Sequence, residues 1–127
     1  MNYINALFRG RVNRGQWILG LLAVSLPPSI FLAFIAQLDS QTINDIFPLI
    51  AGLLLIPAFT ISISLHVRRM HDTNRSGMYF FLLFIPLVNL YCLYLLLCEG
   101  DKEANPYGKP PTQRGIVSVV FNLENKI

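Results

Sequence analysis

Charge is what this sequence has least of. Lys, Arg, Asp and Glu make up 13% of its 127 residues, where a soluble domain carries about 25%. The shortage is patterned. No Asp, Glu, Lys or Arg occurs from Gly15 to Leu38, from Ile46 to Val67, or from Ser76 to Cys98. About twenty apolar residues span a bilayer as a helix, and each run is long enough. A soluble helical core is excluded, because too little chain remains to cover three such helices. Cysteine is scarce too. Cys92 and Cys98 both fall in the third run, and six positions apart on a helix they point in different directions, which excludes a bridge. They read as packing residues. Phosphate-binding glycine loops, thiol motifs and nucleophile–base sets are all missing. The expectation is a non-enzymatic protein with no cofactor.

The charges that are present sit at the run ends. Arg9, Arg11 and Arg14 precede the first run, and Arg68, Arg69 and Arg75 separate the second from the third. Basic residues so placed set topology, and the net charge of +3 does not signal nucleic acid. The first run is too long for a signal-peptide core and no convincing cleavage site follows it, so it reads as a span that stays. The fold class is therefore an all-α integral membrane protein. One domain, 1–127, divides into an interfacial N-terminal segment (1–16), three spans (17–37, 46–65 and 78–98), a polar loop (66–77) and a polar tail (99–127). Pro27 and Pro28, Pro57 and Pro86 predict a kink in each span. Counting basic residues puts the N-terminus and the 66–77 loop in the cytoplasm of a bacterial inner membrane, and the acidic link Asp39–Asp45 outside.

The tail is ambiguous on the same count. Three spans place it outside, yet Lys102, Lys109, Arg114 and Lys126 favour the inside. If Pro86-Leu87-Val88-Asn89 were the apex of a re-entrant hairpin, the tail would return to the cytoplasm; irregular backbone at that depth needs protein around it.

Local patterns add detail. Tyr3, Ile4, Leu7 and Phe8 share a helical face, suggesting a short interfacial helix with its arginines at lipid phosphates. Trp17 suits the interface belt. Pro48 falls in the first turn of the second span. Ser76 or Asp72 is placed to cap the third. Ser25, Ser29, Thr60, Ser62 and Ser64 are available to satisfy carbonyls freed by proline. They also provide small residues four apart for close helix contact, within the chain or with a second copy. Ile116–Phe121 is apolar and β-branched, suited to a short strand.

The dense polar stretch is Arg68-Arg69-Met70-His71-Asp72-Thr73-Asn74-Arg75-Ser76-Gly77. His71 and Asp72 are adjacent on a helix and cannot simply pair, whereas Arg68 and Asp72 are four apart and can. His66, His71 and Asp72 do not share a face, so no metal site is expected. All six cations before Lys102 are arginines, which favours two-pronged contact with phosphate or carboxylate. Arg9, Arg11, Arg14, Arg68, Arg69, His71, Asp72 and Arg75 are thus the expected contacts. Their partners would be anionic lipid headgroups, or an acidic segment of another membrane protein or a second copy. The competing reading is a small oligomeric transporter or channel using the kinked mid-membrane region.

Three motifs carry a resemblance: Phe8-Arg9-Gly10-Arg11-Val12-Asn13-Arg14 leading into Trp17, the stretch from Arg68 to Gly77, and Asn105-Pro106-Tyr107-Gly108-Lys109-Pro110-Pro111. In that order they resemble the bacterial inner-membrane family called domain of unknown function 805. Met70 stands where the family usually has leucine, Asn74 where it has glycine, Met78-Tyr79 where it has a tryptophan pair, and Pro110 where it has an acid. The resemblance implies a small multi-pass membrane protein and supplies no activity.

Overall fold

The computed structural model describes residues 3–38 and 41–123, and is helical with no strand among them. Asp39 and Ser40 of the acidic link, and Glu124 and Lys126 of the tail, lie outside the described residues. The short helix α1, Tyr3–Leu7, is followed by Gly10 at φ 86, a left-handed conformation that glycine adopts without strain. Helix α2, Arg14–Ile35, begins in a capping box. Asn13 Oδ1 accepts from Gln16 N at 2.8 Å and Gln16 Oε1 accepts from Asn13 N at 3.4 Å, satisfying two orphan donors reciprocally. Pro27 and Pro28 lie inside a helix that runs on past them.

Helix α3, Gln41–Asp72, has 32 residues and carries Pro48 and Pro57 inside. At 1.5 Å per residue it is about 48 Å long, against a bilayer core of about 30 Å. The helix therefore projects well beyond 46–65, and the arginine motif through Asp72 is helical rather than loop. Pro48 is correspondingly not in the first turn. Helices α2 and α3 pack closely where Gly20 meets Leu65; a Cβ on Gly20 would sit 3.1 Å from Leu65 Cδ1. Trp17 is 8% exposed and stands edge-on to His66, with ring centroids 5.4 Å apart. It belongs to the core rather than to an interface belt, because the chain's own tail covers this end of the helix pair.

The hydroxyls do not rescue the proline-freed carbonyls of Ala23, Val24 and Leu53. Ser25, Ser29, Thr60 and Ser62 donate to Leu21, Ser25, Ile56 and Ala58, each four residues back. The freed carbonyl of Leu82 accepts from Ile85 N at 3.2 Å.

The third apolar run does not form one rod. Ser76 caps a 3-10 helix, Gly77–Phe84. The chain then breaks, with Leu87 at φ 67, ψ −42, and resumes as α4, Val88–Leu97. Pro86 has no N–H to continue the first helix, and the positive φ reverses the chain. Both ends of this segment meet the same end of α3. Gly77 packs on Val67, where a Cβ would lie 2.6 Å from Cγ1, and Arg69 Nε donates to Leu96 O at 2.8 Å. Between them, Cys92 Sγ donates to Tyr79 O at 3.4 Å. The segment is a helical hairpin whose arms are about 16 Å and 15 Å long.

Ile116–Phe121 forms a helix, α5, not a strand. With no neighbouring strand to pair, its backbone groups bond locally, and Val119 and Val120 bury against Val24 and Leu65 in the core. Asn122 closes α5 in the left-handed conformation, φ 49, and its Nδ2 donates to Ala6 O at 2.6 Å and Arg9 O at 2.9 Å. Tail, N-terminal segment and the end of α3 thus form one polar end of the molecule.

Candidate functional site: a buried arginine clasp

Asp72 is the last residue of α3 and 2% exposed. Its carboxylate is shared by two guanidinium groups. Arg11 Nε donates to Oδ1 at 3.0 Å, and Arg69 Nη1 donates to Oδ2 at 2.5 Å. Pairing therefore runs to Arg69, one turn back, and to Arg11 in a distant segment. Arg68, the expected partner, points elsewhere.

Each guanidinium spends its remaining donors on backbone carbonyls. Arg11 Nη1 donates to Glu103 O at 2.7 Å and Gly108 O at 3.3 Å, and Nη2 donates to Asp72 O at 3.4 Å and to Asp101 O. Arg69 reaches Leu96 O and, through Nη2, Cys98 O. A planar five-donor fork makes this possible; a lysine ammonium has three donors at one point. The two arginines consequently tie the start of the tail and the end of α4 onto α3. Backbone contacts reinforce the tie: Asp101 N donates to Asp72 O at 2.8 Å, and Asn105 Nδ2 to His71 O at 2.9 Å. Gly100 is required here, since a Cβ would fall 1.9 Å from Asp72 Oδ2. Burial pushes the Asp72 carboxyl above its ordinary value, while Arg69 and Arg11 pull it back.

His71 sits half-buried on the other side of the α3 terminus. Its Nδ1 lies 3.2 Å from Gly10 O, and its ring stacks on Tyr107 with centroids 4.0 Å apart and planes at 4°. Burial lowers its pKa, with the Gly10 contact opposing. His71 and Asp72 do not touch as a catalytic pair. Among the described residues no group of three His, Cys, Asp or Glu side chains is placed to hold a metal ion.

Arg68 is fully buried and bonds a different part of the tail. Its Nη1 donates to Val119 O of α5 at 2.6 Å, while Nε and Nη2 find no partner among the described residues. Burial, then the nearby Arg114 charge, bring its pKa down to about 10. Arg9, Arg14 and Arg75 are exposed, and Arg75 lies 5.9 Å over the Tyr79 ring. The eight expected contact residues thus divide, with His71 half-buried between the two sets. Arg11, Arg68, Arg69 and Asp72 are interior, where they cannot reach a headgroup without opening the fold. Arg9, Arg14 and Arg75 face out.

Sequence reasoning missed Arg114, Asn122 and the accepting carbonyls of Asp101, Glu103 and Gly108. The tail motif around Asn105–Lys109 was the available signal, since its recurrence with the two arginine motifs fits segments that touch.

The pattern of the family described as "Protein of unknown function (DUF805)" matches residues 5–109, which takes in both arginine motifs and the tail motif as far as Lys109. "Inner membrane protein YhaI" of Escherichia coli K12 is 30% identical over 112 residues, covering 87% of this chain and 88% of the relative; the O157:H7 protein of that name matches equally. No solved structure matches. With its two long apolar helices and its inner-membrane relatives, the chain is a membrane protein that belongs to the DUF805 family of unknown function.

Proposed function

We propose that this is a small, non-enzymatic multi-pass protein of the bacterial inner membrane. Two helices cross the bilayer, a hairpin dips in and returns, and both the N-terminus and the tail lie in the cytoplasm. Its polar end meets anionic headgroups through Arg9, Arg14 and Arg75. The observation that carries this reading is the burial split: four charged groups lock the polar end together, leaving three exposed arginines on the end where the basic segments gather. This gathering agrees with the positive-inside rule for the N-terminal segment, the α3 end and the tail at once. Arms of about 15 Å reach only half of a 30 Å core. A solute path has weaker support, because the hydroxyls near the internal prolines are bonded within their own helices.

The test compares the intact protein with an Arg9→Gln, Arg14→Gln, Arg75→Gln variant in nanodiscs of phosphatidylglycerol or phosphatidylcholine. The natural chain should unfold at a higher temperature in the anionic lipid, with the difference fading in salt. An equal difference in the variant would refute headgroup contact by these arginines.

A further inference from the structure

The hairpin is apolar on both of its faces. No Asp, Glu, Lys or Arg lies within it, and exposed Arg75 and Glu99 flank its two feet. Its inner face is docked: Cys92, Leu95 and Leu96 are buried, and Tyr79, Leu82 and Leu83 pack against the core. Its outer face is bare. Leu90, Tyr94 and Leu97 are exposed at a spacing that puts them on one side of α4, and Leu87 at the tip is 82% exposed. The tip leaves few polar groups open. Pro86 has no N–H, while Ile85 N donates to Leu82 O, Asn89 N to Ile85 O and Leu90 N to Leu87 O. A turn so satisfied enters hydrocarbon at little cost. Helix α5 thickens the same half of the molecule. Its Val119 and Val120 bury with Val24 of α2, about 15 Å along that helix from Arg14, and its Ile116, Val117 and Phe121 are exposed. The far half is thinner. There α2 and α3 stand alone among the described residues, with Ile30, Phe34, Leu49 and Leu53 exposed.

We infer that the protein is a membrane wedge, and that the surface it fits is a bilayer bent convex toward the cytoplasm. The inference rests on the reading that the hairpin dips into the cytoplasmic half and returns. A helix with its side chains is about 10 Å across, so the two arms add on the order of 160 Å² of cross-section to one leaflet. Helix α5 adds to the same side. The outer leaflet receives two helices and nothing more from the described residues. A bilayer relieves such unequal widths by curving, and a convex leaflet, loosely packed at its surface, accepts inserted apolar side chains more readily than a flat one.

The orientation taken in vesicles tests it. A chain inserted with its polar end outward puts the wedge in the convex leaflet; the reverse insertion puts it in the concave one. The full chain, tagged at both termini, is reconstituted into phosphatidylcholine vesicles about 30 nm or about 200 nm across, a range over which curvature-sensitive insertion changes. External protease then cuts the tags before and after detergent lysis. The ratio of outward to inward polar ends should be about threefold higher in the small vesicles, a difference of under about 1 kcal/mol. Equal ratios would overturn the proposal. A Leu90→Ala, Tyr94→Ala, Leu97→Ala variant narrows the wedge through exposed side chains and leaves the polar end intact. It should lose about half of the bias, since inserted apolar bulk sets the curvature response. An undiminished bias would come from the bulk of the polar end and would also overturn the wedge. The two tags separate this from the topology it rests on. Tags protected on opposite sides would refute the re-entrant reading itself. Tags cut together with no dependence on vesicle size would leave that reading standing and overturn the wedge alone.

Discussion

Asp72 shows how much one residue holds. Its carboxylate neutralises two buried arginines, and its own carbonyl takes Asp101 N. Removing one partner of a buried pair costs about 3–5 kcal/mol, because the other charge stays buried. Asp72→Ala should lower stability by about that much in denaturant unfolding in micelles. Arg69→Lys keeps the charge but loses the fork that reaches Leu96 and Cys98, and should cost about 2 kcal/mol, the worth of a charged hydrogen bond. If it were neutral, Arg69 would be only a topology charge. His71 gives a pH dependence. Its folded pKa is lowered, so below an ordinary value near 6.5 the unfolded chain takes up the proton first. Stability is then complete above that value and falls as pH drops through it. The difference in unfolding temperature between the natural chain and His71→Gln should change between pH 7.5 and 5.5, and a constant difference would contradict the assignment.

At the scale of elements, the break at Pro86 and Leu87 makes the hairpin. Leu87 occupies a positive-φ conformation that costs a side-chain-bearing residue about 1 kcal/mol or more. Leu87→Gly should therefore stabilise the fold by up to about 1 kcal/mol, and destabilisation would mean the turn is held by the Leu87 side chain. Pro86 announced the break in the sequence, because proline ends a helix by its own chemistry. The direction of the chain afterwards was not legible. It depends on Arg69 reaching Leu96 and Cys98, contacts 27 and 29 residues away. The helical form of Ile116–Phe121 was hidden for a similar reason. Its β-branched residues favour a strand in isolation, and only docking against Val24 and Leu65 decides otherwise. The extension of α3 to Asp72 was masked because charge ends an apolar run without ending a helix.

For the whole molecule, two long apolar helices were plain in the sequence, since charge-free length alone marks them. The site was half legible. Arginine motifs at the run ends stood out, and basic residues there serve topology. Their burial did not, because Arg11 and Asp72 are 61 residues apart and the tail that covers them reads as polar loop. The clasp now unites these observations. It gathers the N-terminal segment, the end of α3, the hairpin's return and the tail at one end of the molecule, and in a membrane that end can lie on only one side. A pair of reporters fused to the C-terminus tests this most directly: a fluorescent protein that matures only in the cytoplasm and a phosphatase active only outside it. The account predicts fluorescence and no phosphatase activity, matching an N-terminal fusion. An active phosphatase at the C-terminus would mean that residues 78–98 cross the membrane, and would contradict the hairpin and the clasp together.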